Sequence, residues 1–395
     1  MPLTAQTRFH SRLADIDAAA WNALLPDDNP FLRHEFLSGL EETGCLRAEY
    51  GWRAHHLALY KSGELAAAAP LYLKGNSHGE FVFDWSWAAA YERAGFDYYP
   101  KLLGAVPYSP VTGARLLARA GGDSDTLRST LIEAIVGEVE RNRLSSAHVN
   151  FVAEADAAPL DRPDWLARFD WQFHWKNRAA EAGGWKTFDE FLAALNHKKR
   201  KNIRAERSQV ARAGIVCELR HGDEIDAREW QAIHRLYLNT FDERGNHAAL
   251  TENFFRHLGA AIPKQIVAVL CKRDDETIAM ALMLRSSDTL YGRYWGSTVD
   301  VPGLHFEACY YQGIEYCLRE GLTTFEPGAQ GEHKIARGFL PTMTRSYHYI
   351  AEPRFRAAVR EALAREAEAL DDYRETLLAH SPYAMRHEGG AESIG

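Results

Sequence analysis

Long apolar runs are missing from this sequence of 395 residues. No stretch approaches the roughly 18 uncharged apolar residues with which a helix crosses a bilayer. Residues 1–10 carry no apolar segment of the kind a secretory leader uses. The expected location is therefore the cytoplasm, with contact at a membrane surface left open. Cysteine is scarce: Cys45, Cys217, Cys271, Cys309 and Cys317 are odd in number and include no C-x-x-C pair. That speaks against a disulfide framework and a thiolate zinc site, and suits a reducing compartment. Positive charge is not in excess either, since 46 Lys and Arg against 54 Asp and Glu leave a net charge of -8, which argues against a generally nucleic-acid-binding surface. There is no G-x-S-x-G elbow, and no cysteine has a recognisable histidine partner, so a covalent acyl-enzyme is not expected.

What is present is globular: 46% of residues are hydrophobic and 25% charged, and the length suggests two domains, each with its own core. Hydrophobic periodicity and turn residues predict, in the first half, a strand at 7–13, a helix capped by Asp15, a helix at 30–43, and strands at 55–60, 65–74 and 80–87. An insertion rich in Tyr, Pro and Gly at 88–120 leads to a helix at 123–142, a strand at 146–152, a short helix at 163–169 and a strand at 171–177. Glu181-Ala182-Gly183-Gly184 reads as a linker. The second half predicts a helix over 188–212, a strand at 215–220, helices at 227–240 and 252–261, and a meander of strands at 265–271, 277–285 and 290–297. A helix at 306–320, strands at 323–326 and 345–350 and a long helix at 355–378 complete it. Apart from its opening helix, the second half repeats the element order of the first, which points to duplicated domains rather than a solenoid.

Chemistry concentrates between Phe325 and Phe339, a polar loop after a short apolar strand. Glu326, Glu332 and His333 are candidate bases there, with Lys334, Arg337 and glycine N–H groups as anion partners. The run 197–204 puts Arg200 and Arg204 on one helix face, with Lys199 beside them; it is either a solvated face or a polyanion site. In 290–297 a regular strand would align Tyr291, Arg293 and Trp295 on one face and Gly292, Tyr294 and Gly296 on the other, either lining a cleft or packing a core. His305 and Glu307 open a helix, where a ligand contact competes with a first-turn charge suited to the dipole. In 81–87 the aromatic residues alternate, leaving Asp84 on the opposite face, solvated or facing a cleft. Lys101 is either a solvated lysine or a fixed ammonium for a phosphate or carboxylate. A metal held by His305, Glu307, Glu332 and His333 has no spacing to support it, and none is expected.

The segments Pro30-Phe31-Leu32-Arg33-His34-Glu35-Phe36-Leu37, Phe81-Val82-Phe83-Asp84-Trp85-Ser86-Trp87, Tyr98-Tyr99-Pro100-Lys101-Leu102-Leu103, Tyr291-Gly292-Arg293-Tyr294-Trp295-Gly296 and His305-Phe306-Glu307-Ala308-Cys309-Tyr310, with the polar loop, resemble the bacterial Fem-like N-acyltransferases. Those are peptidoglycan biosynthesis or recognition proteins of the GNAT superfamily. The resemblance implies a mixed α/β fold of two tandem GNAT-like acyl-CoA N-acyltransferase domains, 1–180 and 185–385. Mostly antiparallel central sheets would be flanked by helices, with the main cleft in the second domain. It implies transfer of an acyl or aminoacyl group to an amine, the acceptor being a small or lipid-linked compound such as a peptidoglycan precursor. The donor would be acyl-CoA or aminoacyl-tRNA. Glu326, Glu332 and His333 become the catalytic candidates. Asp84, Trp85, Lys101, Lys199, Arg200, Arg204, Arg293, Tyr294, Trp295, His305, Glu307, Tyr310, Gln330 and Lys334 become substrate contacts. The sequence departs from the acetyl-CoA pattern, since neither 298–304 nor 119–123 has the Q/R-x-x-G-x-G/A phosphate loop. The alternative is a binding module for a polyanionic or cell-wall-precursor ligand, without chemistry.

Overall fold

The computed structural model describes residues 5–177, 184–242, 248–329 and 331–384. β1 (Ala5–His10) is followed by α1 (Ala18–Asn22) and α2 (His34–Glu42). Asp17, not Asp15, caps α1 by accepting the Ala20 N–H at 2.8 Å. A long hairpin comes next, and each arm breaks in two: β2 (Trp52–Ala54) and β3 (His56–Lys61) run out, β4 (Glu64–Ala69) and β5 (Leu71–Lys74) return. Pro70 interrupts the ladder because it has no N–H, and β3 and β4 join one sheet while β2 and β5 join another.

Residues 80–87, expected as the next strand, form none. Phe81 takes a φ of 62°, and α3 (Trp85–Arg93) starts behind Asp84. Trp87 and Tyr91, four apart, are buried on one face of α3, while Phe83 and Trp85 stack at 4.8 Å and stay exposed. The strand that continues the sheet is β6 (Lys101–Gly104), inside the segment taken from sequence as an insertion. After β7 (Leu117–Ala118), α4 (Ser124–Arg141), β8 (Ser146–Val149) and α5 (Glu154–Leu160), the half closes on β9 (Trp165–Lys176). No helix forms at 163–169, because β9 already begins at Trp165.

The second half opens with two helices, not one. α6 (Phe188–Ala193) stops before Asn196, whose side chain accepts the Lys199 N–H at 3.1 Å and starts α7 (His197–Arg212). β10 (Val216–His221), α8 (Ala227–Asp242), α9 (Glu252–Ala261), β11 (Ile266–Arg273), β12 (Glu276–Arg285) and β13 (Thr289–Ser297) follow as expected. α10 (Leu304–Phe306) passes through a π-helical turn (Glu307–Tyr311) into α11 (Gln312–Glu320), which ends at Gly321 with φ 75°. β14 (Thr324–Glu326), a 3-10 turn (Glu332–Arg337), β15 (Leu340–Ile350) and α12 (Pro353–Ala379) finish the chain. The proposed linker lies almost wholly outside the described residues.

A four-stranded sheet has the order β1-β3-β4-β7, and an eleven-stranded sheet runs β10-β11-β12-β13-β14-β9-β15-β8-β6-β5-β2. The halves exchange their last strands. β9 of the first half sits between β14 and β15 of the second, and β15 lies against β8 of the first. The division near 180 follows the chain but not the packing, since one core joins Trp21, Phe31, Phe36 and Leu40 to Trp230, Leu236, Phe254 and Leu282. Ile266–Cys271 is buried on both faces, which is why it reads as an unbroken apolar run. Among the described residues no helix is long and apolar enough to cross a membrane.

Candidate functional site

β13 and β14 run parallel and pair only through Thr289↔Thr324, Leu290↔Phe325 and Tyr291↔Glu326. Beyond that point β14 ends, the chain turns away at Pro327, and β13 continues to Ser297. A wedge opens between them. On its other edge β13 carries a bulge, with Leu282 opposite Tyr294 and Met283 opposite Gly292, so Arg293 is the extra residue. The bulge reverses the alternation read from sequence: Tyr291 and Tyr294 enter the same core, and Trp295 faces the opposite one against His305, ring to ring at 5.2 Å. A cavity of 130 Å³ fills the wedge, bordered by Arg293, Trp295, His305, Tyr310 and Pro327. Through Trp295 and His305 it adjoins a wider cleft of 740 Å³ beneath the 297–301 loop and Thr240.

Arg293 is held from every side. Its Nε donates to Ser109 Oγ at 2.8 Å, its Nη1 to the Gly292 and Glu326 carbonyls at 2.8 and 3.2 Å, and its Nη2 to the Glu326 carboxylate. Burial pushes the Glu326 carboxyl above its ordinary range, against the pull of Arg293 and Lys334. Glu326, expected as an accessible base, is instead a buried partner of Arg293. Lys334 is also buried and donates to the Gly328 and Pro327 carbonyls at 2.8 and 3.3 Å. Burial, helped by Arg293, lowers its ammonium to about 8.

On the far side of the loop lies a groove of 600 Å³, lined by Phe81, Asp170, Gln172, Glu332, His333 and Tyr373. His333 Nε2 is 3.0 Å from the Tyr310 hydroxyl. Tyr310 borders the wedge and His333 borders the groove, so this one hydrogen bond joins the two cavities. Tyr310 lies in the π-helical turn Glu307–Tyr311, a local widening of the kind that often marks a functional position. Burial, with Lys334 and Arg337 nearby, holds the imidazole below its ordinary value, so His333 is neutral at pH 7. Gly331, at φ 120°, leaves room for it: a Cβ there would sit 2.5 Å from the His333 ring.

Other expected contacts fall elsewhere. Glu332 accepts from the Tyr373 hydroxyl of α12. Glu307 spends both oxygens on Arg207, at 3.0 and 3.1 Å, and accepts from Gln312 at 2.7 Å, so it anchors α7 rather than facing a ligand. Lys199, Arg200 and Arg204 lie along the first two turns of α7; Arg200 reaches the Ala193 carbonyl at 3.4 Å and Arg204 reaches Asp189 at 3.4 Å, both near solvent. Asp84 and Lys101, expected in the cleft, are buried and paired with each other. Lys101 also donates to Glu80 at 2.8 Å and Ser77 at 3.2 Å, and Tyr98 donates to Asp84. Burial opposes the Asp84 charge, but Lys101 holds its carboxyl well below the usual range, while burial pushes Glu80 up to about 7. Trp85 is exposed on α3. Gln330 lies outside the described residues. Among those residues no group of three or more His, Cys, Asp or Glu side chains is arranged to hold a metal.

Sequence reading missed Ser109, Gln172 and His174. The alternation of Arg168, Asp170, Gln172 and His174 with Phe169, Trp171, Phe173 and Trp175 was the available signal for the last two. Nothing local marked Ser109, whose partner is 184 residues away.

Residues 12–385 match the FemAB-like family, described as peptidoglycan biosynthesis/recognition. The crystal structure of FemX is similar at a TM-score of 0.50 and 12% identity, over 90% of this chain and 100% of that one. The C-terminal domain of a putative lysylphosphatidylglycerol synthetase from Agrobacterium fabrum is similar at 0.54 and 11% identity, over 89% and 96%. At such identities the likeness speaks for the fold alone. No curated protein matches the chain. With two repeated halves in GNAT element order and a family match over nearly its whole length, the chain belongs to the FemAB-like family and has a tandem GNAT-type fold.

Proposed function

We propose that the chain is an N-acyltransferase that binds an activated acyl or aminoacyl donor in the β13–β14 wedge and an amine acceptor in the groove across the 327–333 loop. The observation that carries this reading is the Tyr310–His333 hydrogen bond between the two cavities. When His333 donates from Nε2 to the Tyr310 oxygen, Nδ1 is left as the base that removes a proton from the acceptor ammonium. The free amine attacks the acyl carbon. As the carbonyl re-forms, the His333 Nε2 proton moves to Tyr310, the Tyr310 proton passes to the departing thiolate or ribose oxygen, and the new amide nitrogen releases its second proton to water. This leaves His333 neutral with its proton on Nδ1. Beyond Tyr291 the β13 edge that faced β14 has lost its partner strand, so its backbone N–H groups supply donors for the oxyanion. Arg293, fixed by Glu326, keeps the bulged strand in shape. The family description favours a cell-wall precursor as acceptor. The donor is an acyl-CoA or an aminoacyl-tRNA, and the missing phosphate loop in 298–304 favours the second.

Mixing the protein with aminoacyl-tRNA or acyl-CoA and amine-bearing cell-wall precursors, and detecting new amides by mass spectrometry, tests the reading. His333→Asn should lower turnover by about 10²–10⁴-fold, the usual contribution of a positioned base, and Tyr310→Phe should also slow it. Wild-type rates in both variants would refute the assignment.

A further inference from the structure

Gln172 is 2% exposed, yet it forms part of the wall of the groove beside His333. It lies on β9, the strand that the first half lends to the second. Two contacts fix its amide without ambiguity. Nε2 lies 2.9 Å from the Pro110 carbonyl, which can only accept, so that atom must be the NH₂ group. Oε1 then faces His174 Nε2 at 3.1 Å and must accept from it. His174 Nε2 therefore carries a proton, and burial, which lowers the ring to about 3 with Lys176, Arg293 and Lys334 acting in the same direction, leaves that as its only one.

Each Gln172 atom has one further valence. Nε2 retains a second N–H and Oε1 a second lone pair, on a group that its two contacts hold in one orientation. A rigid amide with one free donor and one free acceptor is complementary to another amide. Nearby, Phe81 and Phe83 from the first half and Phe173 from β9 give the groove apolar walls for a stem between that amide and the reacting amine.

We propose that Gln172 is a specificity-determining residue that hydrogen-bonds an amide of the amine acceptor, with His174 and Pro110 as its positioning partners. The proposal rests on the acyltransferase reading of the groove, but its test is one of binding. By calorimetry, L-lysinamide should bind the full-length protein about tenfold more tightly than 1,5-diaminopentane, which has a similar amine-bearing stem and no amide; a pair of hydrogen bonds supports a preference of that size. Gln172→Met, close in volume and unable to make either bond, should bring the two ligands within about twofold. Gln172→Asn keeps an amide but withdraws it by one methylene, and should give the same loss of preference if the methionine variant fails to fold. Equal binding of the two ligands to wild type, or an undiminished preference in a folded variant, would overturn the proposal. Failure to form amide product in the presence of intact, Gln172-dependent binding would instead refute the acyltransferase reading alone.

Discussion

Arg293 and Glu326 show why a charged pair in the middle of a protein is fragile when one member is lost. The pair is almost fully buried, and Glu326 is drawn toward ionisation by a guanidinium that itself has carbonyl and hydroxyl partners. Arg293→Met would leave the carboxyl without its main partner in a site that already raises its proton affinity. The expected loss is about 3–5 kcal/mol in urea unfolding, and a single-conformation wedge should no longer form. At His333 the expected effect is kinetic. Its proton affinity is lowered, so the neutral base persists below the ordinary histidine range. A pH profile of kcat/KM for amide formation should hold its plateau to lower pH than an ordinary histidine base allows, and fall only below the ordinary histidine range.

At the scale of elements, two glycines separate fold from chemistry. A Cβ at Gly296 would lie 1.9 Å from the Leu236 carbonyl oxygen, because α8 rests directly on β13. Backbone cannot swing aside as a side chain can, so Gly296→Ala should cost about 1–3 kcal/mol and lower Tm by several degrees in calorimetry. Gly331→Ala meets the His333 ring first, a side chain that can move, though at a backbone angle that suits glycine. It should damage turnover far more than it damages Tm. The strand β13 and its glycines were legible in sequence because six of the nine residues are aromatic, glycine or β-branched and the turns on either side are polar. The bulge was not legible, because a single inserted residue leaves no compositional mark and shows itself only against β12. The misread 80–87 segment failed for the opposite reason: alternating aromatics imitate a pleat, and only the left-handed Phe81 and the helix start behind Asp84 reveal otherwise. The polar loop stands out in the sequence as a concentration of ionisable residues. Which of them faced a cavity depended on partners such as Arg293, Tyr373 and Tyr310, contributed by segments distant in the chain.

At the scale of the whole molecule, several buried histidines link stability to acid. Burial lowers His148 and His174 to about 3, from an ordinary 6.5 in the unfolded chain. His148 Nδ1 also lies 2.6 Å from His348 Nδ1, whose ring burial holds well below its ordinary value. Because their folded values are depressed, the unfolded state binds more protons as the pH drops. The stabilisation is complete above about pH 6.5 and is lost progressively between there and pH 3. Denaturant titrations across that range should show a steep fall in stability, and His148→Gln should flatten it. The exchanged strands make a second whole-molecule prediction. A fragment ending at residue 177 would present β9 and β8 without β14 and β15, and should be insoluble or aggregate, while the full chain should melt in one transition.

That exchange also sets an order of events during synthesis. β9 leaves the ribosome roughly 170 residues before β15, the strand it pairs with from Leu340↔His174 to Tyr349↔Trp165. At about 5–20 residues per second that is a wait of the order of ten seconds or more. Throughout that interval a long strand with an aromatic face and open hydrogen-bonding edges is finished but has no place to go. A chain halted at that length is therefore expected to bind chaperones, with the polar alternation of Arg168, Asp170, Gln172 and His174 on the other face of β9 opposing its aggregation.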